Sequence, residues 1–439
     1  MGFFLFILLN AVLFIRPAEI VPALMDLPIY EALIVLCLVA SLPDLIRMLT
    51  RERWTKMPIL VGVLGLWGSI VLSLVFTSRV SEARVEATLF LKVVLYYVLL
   101  ITNVSAKERL NRFVASLAVF TFVMTSLSLL QYHEWVNIPA LASYRERQDD
   151  VIDPQTGEPT YLLRLVGAGI FNDPNDLCLI LCLGAFFCAY LARERGGGLR
   201  RYAWLVPVPL FGYALSLTHS RGGFLAMLAG LLTMFANRYG VRKTAVMSAL
   251  VLPVLFFVFA GRQTSISTSE GTGQHRIQLW SEGLSMLSGK ALAFGIGKGM
   301  VVEELGYVSH NSYVQSYVEL GLVGGTIFLG MFAYSIRALT YVRSSCPDLD
   351  ADLRRFQPYL LAVVVSFAVG YMSLSRGYSL TTYLVFGLVT SFMRVSDPRP
   401  EPPWLKLGPA LVAQLASVSL VFVAAIYLFI RLSLRWGTE

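Results

Sequence analysis

Apolar runs long enough to cross a lipid bilayer recur along this chain, and they leave it few folds to choose from. The clearest cover residues 58–77, 113–130, 245–260, 314–335 and 409–430. Weaker runs lie at 29–46, 87–102, 177–192, 202–217, 222–236, 358–374 and 379–393. Lipid offers no partner to an unpaired backbone N–H or C=O, so each run is expected to be helical. Twelve spans result, in a single integral membrane domain over residues 1–439. A further run, residues 3–15, is short for the hydrocarbon layer and reads as a segment that dips into it. It has no basic residue ahead of it and no small-residue cleavage site, so it does not read as a signal peptide. Composition excludes a water-soluble body: 56% of the 439 residues are hydrophobic and only 15% are charged. The expected fold class is an all-α polytopic membrane protein with about 12–13 transmembrane helices.

Basic residues orient these spans. Taking alternate connections, one set carries three or four Lys or Arg in every member, for example Arg47/Arg51/Arg53/Lys56, Arg193/Arg195/Arg200/Arg201 and Arg337/Arg343/Arg354/Arg355. The other set is poorer, and half of its basic residues lie in two long loops that weigh little in the positive-inside rule. The first set is therefore expected in the cytoplasm. The net charge of +8 then reports topology and anionic headgroups rather than nucleic acid, since no basic domain lies outside the spans. Cys37, Cys178, Cys182 and Cys188 sit inside apolar runs and Cys346 in a connection, without CxxC or Cys/His spacing. They read as small buried hydrophobes, not as a disulfide framework or a zinc site.

Two connections on the opposite, outer side are long: residues 131–166 and 261–309. The first is charged and turn-rich and reads as a solvated excursion. The second opens with a Ser/Thr/Gly stretch at 263–273 that is expected to be mobile. Ile277, Trp280, Leu284 and Leu287 follow at helical spacing, which predicts a short amphipathic helix over residues 275–288. No full-length internal repeat is visible. Ser220-Arg221-Gly222 is echoed by Ser375-Arg376-Gly377, each expected in a tight outward hairpin.

Four features bear on chemistry. In His219-Ser220-Arg221-Gly222-Gly223 one apolar run ends and the next begins. Ser220 suits a helix cap, the glycines suit close helix approach, and Arg221 is held where it can grip an anion at the membrane edge. Gln274-His275-Arg276 opens the amphipathic helix, as surface charge or as a second cation. Ser309-His310-Asn311-Ser312-Tyr313 leads straight into a span: Asn311 or Ser312 explains itself as a cap, and His310 does not. On helical geometry Glu319 points away from His310 and reads as a structural partner for a basic group. Phe171-Asn172-Asp173-Pro174-Asn175-Asp176 reads as a helix start, with Asp173 as cap and Pro174 in the first helical position, ahead of a metal site. Gly295-Ile296-Gly297-Lys298-Gly299 follows no strand and reads as a turn rather than a nucleotide loop.

In this order the motifs resemble the O-antigen ligase and polymerase superfamily. The resemblance is carried by Phe171-Asn172-Asp173-Pro174-Asn175, Ser220-Arg221-Gly222-Gly223, Arg276 with Trp280, Gly295-Ile296-Gly297, and His310-Asn311-Ser312-Tyr313 continuing to Glu319-Leu320-Gly321-Leu322-Val323-Gly324. It covers roughly residues 165–335 at motif level. It implies a fold like the C-type membrane glycosyltransferases, with short helices in the outer loop. It also implies an inner-membrane enzyme that moves a glycan from undecaprenyl diphosphate to an acceptor hydroxyl at the periplasmic face. That reaction inverts the anomeric carbon and uses neither metal nor cofactor. For a ligase the acceptor is the lipid A–core oligosaccharide; for a polymerase it is another carrier-linked glycan; a protein O-oligosaccharyltransferase is a third form. By motif position Arg221 and Arg276 hold the diphosphate and His310 acts on the acceptor. Arg376 is a further candidate cation, with Ser220, Asn311 and Tyr313 in support. A glycolipid flippase, the reading from a different class, calls for inverted repeats and broken helices, and neither is visible in the sequence.

Overall fold

The computed structural model describes residues 1–25, 27–51, 54–152, 159–193, 198–258 and 272–433. In chain order its helices are α1 (Gly2–Ile15), α2 (Pro17–Ile20), α3 (Ile29–Arg51), α4 (Pro58–Phe76), α5 (Val80–Asn103) and α6 (Lys107–Tyr132). Then come α7 (Pro174–Leu191), α8 (Pro207–Leu217), α9 (Arg221–Tyr239), α10 (Val241–Val258), α11 (Thr272–Ser285) and α12 (Lys290–Phe294). The last are α13 (Met300–Leu305), α14 (Ser312–Ser345), α15 (Ala351–Gly370), α16 (Leu380–Ser396) and α17 (Pro409–Ser433). The chain is an all-α polytopic membrane protein. Among the described residues, eight helical stretches are long and apolar enough to cross a bilayer, α4 to α7, α14 and α17 among them.

Local chemistry explains where the elements depart from the apolar runs. The run expected to dip into the membrane continues through α2, giving a 19-residue stretch, Gly2–Ile20, of spanning length. Arg16 breaks it in the left-handed region (φ 52). The run 202–217 shrinks to the 11-residue α8, because Pro207, which lacks an N–H, opens a helix after the 3₁₀ turn Gly198–Leu205. The loop 131–166 is not wholly irregular. Strands β1 (Tyr144–Ile152) and β2 (Pro159–Arg164) pair antiparallel, with Tyr144 opposite Arg164 and Arg147 opposite Tyr161. The stretch expected to be mobile, 263–273, lies outside the described residues except at its end, where α11 begins.

One expectation fails outright: a helix is broken. Gly321 inside α14 adopts φ 66, ψ −166, a conformation open essentially to glycine alone. Nothing in the apolar pattern of residues 314–335 announces it, because Leu-Gly-Leu-Val reads as ordinary span.

The chain folds as two compact units. Met1–Ser41, Lys107–Gln263 and Pro358–Ser366 make the first; Leu42–Ala106, Thr264–Gln357 and Phe367–Glu439 make the second. In the first, α7 is buried along nearly its whole length among α6, α8 and α9. Gly184 and Gly230 permit this packing: a Cβ on Gly230 would lie 2.2 Å from Ser366 Oγ and 2.7 Å from the Phe186 ring. In the second, α14 packs on α4, α16 and α17, and α5 packs on α4 and α16. Phe328, Phe332 and Phe422 surround the buried Tyr313 ring there.

Candidate functional site

In the first unit the candidate feature is the turn between α8 and α9. Ser220 caps α9, its hydroxyl accepting from Gly223 N at 3.0 Å, so Arg221 is the first helical residue. Gly223 has to be glycine, since a Cβ would meet Cys178 Cβ and Sγ at 2.4 Å. The turn is tied to the start of α7, where Ser220 Oγ donates to Asn175 Oδ1 at 2.6 Å. Asp173 caps α7 through Asn175 N (2.7 Å) and Asp176 N (3.4 Å), with Pro174 in the first helical position. The capping role expected of Asp173 is therefore what its carboxylate performs. An apolar cavity of about 270 Å³ runs beside the first turns of α9, lined by Leu215, Phe224, Met227 and Leu231.

Sequence reasoning missed Arg164. Its guanidinium is buried and donates to Thr218 O (2.7 Å), Glu146 Oε2 (3.0 Å) and Asn175 Oδ1 (3.2 Å). One planar fork thereby fastens β1, the start of α7 and the turn before Arg221. An arginine in an otherwise apolar Leu-Leu-Arg-Leu-Val segment was the available signal.

The second unit gathers the other three candidates. His310 lies in the left-handed region (φ 49) immediately before Asn311, which caps α14 by accepting from Tyr313 N (3.0 Å) and Val314 N (3.1 Å). His219 has the same φ immediately before its own cap, Ser220, so both turns present a strained histidine ahead of a capped helix. The amphipathic helix is observed as α11. Trp280 and Leu284 pack against Val301, Val314 and Val318, as the spacing predicts. Trp280 Nε1 donates to Ser309 O at 2.7 Å, so the helix that carries Arg276 is bonded to the turn that carries His310.

Ser312 makes the second tie. Its N–H donates to Tyr371 O (2.9 Å), its hydroxyl to Leu374 O (2.5 Å), and it accepts from Arg376 N (2.8 Å). The loop that carries Arg376 is thus pinned to the start of α14. This loop does not repeat the Arg221 turn. Arg376 precedes α16 by several residues, and the cap of α16 is Ser379, not Ser375. The two Ser-Arg-Gly motifs share residues but not geometry, because only the first has its serine in register to cap. The Tyr313 hydroxyl is committed to Ala368 O at 2.9 Å, which makes its part structural.

Beside this site the Gly295–Gly299 turn completes the broken helix. A break at Gly321 deprives the carbonyls of Val318 and Glu319 of their usual partners four residues on. Ile296 N and Gly297 N take those carbonyls, each at 3.0 Å. The approach is so close that a Cβ on Gly295 would lie 2.2 Å from the Glu319 carbonyl, and one on Gly321 2.4 Å from that of Ala293. Partly buried charge follows the backbone. Lys298 forms an ion pair with Glu86 and stands 5.1 Å from the centre of the Tyr378 ring, and Gln315 Nε2 donates to Glu319 Oε1 at 3.0 Å. Burial, reinforced by the Glu319 carboxylate, pushes the Tyr378 phenol well above its ordinary pKa. The basic partner expected of Glu319 is thus replaced by the Gln315 amide, while Lys298 pairs with Glu86. Arg79 binds both Glu303 (2.8 Å) and Glu304 (3.3 Å), and His275 meets the Tyr307 ring edge-on at 4.8 Å.

Fold and site together define a multi-pass membrane protein whose polar chemistry is concentrated at helix starts, on arginines and histidines. Residues 207–329 match the family model described as O-antigen ligase. That match supports placing the chain in the O-antigen ligase superfamily, an O-antigen ligase/polymerase type of family. It takes in Ser220, Arg221, Arg276, the Gly295–Gly299 turn, His310 and the break at Gly321, and it stops short of Arg376. No curated protein matches the chain.

Proposed function

We propose that this protein is an O-antigen ligase of the bacterial inner membrane, with its site facing the periplasm. Its donor is an undecaprenyl diphosphate-linked glycan and its acceptor a hydroxyl of the lipid A–core oligosaccharide. The observation that carries this reading is the double tie at His310: Trp280 to Ser309 brings the helix of Arg276, and Ser312 to Arg376 N brings a second cationic loop. Those three side chains are the acid/base and anion-binding groups that transfer from a glycosyl diphosphate needs.

In this reaction the acceptor oxygen attacks the anomeric carbon as the bond from that carbon to the diphosphate oxygen breaks. Direct displacement inverts the centre. The acceptor proton passes to the neutral His310 imidazole, and the electron pair of the broken bond leaves on undecaprenyl diphosphate. Charge accumulates on the leaving diphosphate, so cations already in place lower the barrier more than they stabilise the ground state. Arginine suits this task, staying charged and binding two phosphate oxygens at once. Beside His310, Arg276 and Arg376 take that part, which a divalent metal fills in other glycosyl transfers, and Arg221 is by its motif position a further anion-binding cation. The apolar cavity along α9, which begins one turn from Arg221 at Phe224, suits a polyprenyl chain.

The broken helix does not favour a flippase. Its freed carbonyls are taken by backbone N–H groups of the Gly295–Gly299 turn instead of lining a path. The test is transfer by purified protein from an undecaprenyl diphosphate-linked glycan, together with glycan analysis of a deletion strain. Unextended core identifies a ligase. Core capped by single repeats points to a polymerase, and loss of protein-linked glycan to a protein O-oligosaccharyltransferase.

A further inference from the structure

Within the second unit, the last turn of α16 and Tyr334 of α14, both remote from His310 and Arg376, border a polar pocket of about 300 Å³. Lys56, Arg394 and Lys406 contribute its cations, Asp397 and Glu401 its carboxylates, and Met393 and Leu405 apolar wall. The connection between α16 and α17 opens with Asp397-Pro398-Arg399-Pro400-Glu401-Pro402-Pro403-Trp404, a Pro-rich sequence of the kind that forms an extended, semi-rigid spacer. Here it is fastened along its length. Tyr341 Oη donates to Pro400 O (2.8 Å), Tyr334 Oη to Leu405 O (3.0 Å) and Leu407 N to Thr55 O (2.7 Å). The Arg337 guanidinium lies 3.9 Å from the centre of the Trp404 ring.

What the clamped connection holds in place is a two-pronged cation. Lys56 Nζ meets Glu401 Oε1 at 2.7 Å and Lys406 Nζ pairs with Glu401 Oε2, so two ammonium groups converge on the two oxygens of one carboxylate. The two non-bridging oxygens of a phosphodiester present the same pattern. Asp397 is paired with Arg399 outside the pocket at 2.9 Å, and the lining itself carries three cations, Lys56, Arg394 and Lys406, against two carboxylates. The Lys406 and Lys56 contacts hold the Glu401 carboxyl below the usual carboxylate range, as expected where positive charge is in excess.

Depth decides between sources of phosphate. Lys56 lies two residues before α4, Lys406 three residues before α17, and Arg394 in the last turn of α16. All three cations therefore sit where membrane helices end, at the level of lipid headgroups. We propose that this pocket binds the phosphate of an anionic phospholipid headgroup, which displaces the Glu401 carboxylate from Lys56 and Lys406.

Native mass spectrometry of the full-length protein in detergent tests this, with phosphatidylglycerol, phosphatidylcholine of the same acyl chains, and inorganic phosphate as probes. Phosphatidylglycerol is expected to be retained about tenfold over phosphatidylcholine. Glu401→Gln, which removes the internal competitor, is expected to raise that preference severalfold. The triple substitution Lys56→Gln, Glu401→Gln and Lys406→Gln, which leaves no orphaned charge, is expected to abolish it. An unchanged or weakened preference in Glu401→Gln overturns the exchange, and a preference that survives in the folded triple variant overturns the site. Complete displacement of the lipid by millimolar inorganic phosphate overturns the headgroup assignment in favour of a soluble phosphate.

Discussion

Replacing Gly295 by alanine puts a Cβ 2.2 Å from the carbonyl carbon and oxygen of Glu319 and 2.4 Å from Leu320 N. All three are backbone atoms, so no side chain can swing away. Ordinary carbon contacts lie near ~3.5 Å, so the two segments must part by roughly 1 Å or more. That separation breaks the bonds from Ile296 N to Val318 O and from Gly297 N to Glu319 O. Each is worth about 1 kcal/mol net, and a buried carbonyl left without a partner costs about 1–3 kcal/mol more. The positive φ of 78 adds about 1–2 kcal/mol for any residue with a Cβ. With both carbonyls freed the total, about 5–10 kcal/mol, is comparable to the ~5–15 kcal/mol that holds a typical folded protein together. Gly299→Ala supplies the control: its φ of 85 carries the same conformational cost, yet nothing lies within 4 Å of its Cβ. Thermal unfolding of both full-length variants in one detergent separates the two contributions. At about 2–4 °C per kcal/mol for a unit of this size, Gly295→Ala should unfold at least ~6 °C below Gly299→Ala. Midpoints within about 2 °C of each other would refute the claim that the turn caps the broken helix.

Arg221→Ala and Arg276→Ala should each reduce glycan transfer by roughly ten- to over a hundredfold, from the ~1.5–3 kcal/mol of a charged hydrogen bond, with lysine rescuing only in part; Arg376→Ala should show a smaller loss in the same assay. His310→Gln should cost about 10²–10⁴-fold in rate while donor binding, followed by retention of labelled lipid-linked glycan, persists. Transfer in excess chelator should proceed at the untreated rate; dependence restored by magnesium or manganese would move the diphosphate away from the arginines. An impermeant thiol reagent on intact cells should label a cysteine at position 134 and not one at 198, and the reverse would invert the topology. Glu401 has its pKa lowered on folding, so its ion pairs stabilise the protein above the ordinary carboxylate range and are lost as pH falls through the lowered value. Unfolding midpoints measured between pH 7 and 3 should therefore decline less steeply in Glu401→Gln than in the parent.

What could be read from the residues alone was whatever local chemistry controls. Apolar length dictates helices in lipid, and Asp173, Ser220 and Asn311 cap because a short polar side chain at a helix start satisfies its own neighbours' N–H groups. Trp280 and Leu284 pack inward because helical spacing puts them on one face. His310 and Arg221 could be singled out because each stands where an apolar run begins or ends without a structural task that its neighbours explain, and Arg276 by its motif position. Contacts between distant segments decided the rest. Arg164 meets Thr218 across 54 residues, Ser312 meets Leu374 across 62, and Lys298 pairs with Glu86 across 212. None of these pairings has a period or a spacing to betray it. The break at Gly321 belongs with them: a glycine in an apolar run is silent in one dimension, and only the arrival of the Gly295–Gly299 turn, with two N–H groups for two freed carbonyls, makes an interrupted helix stable there.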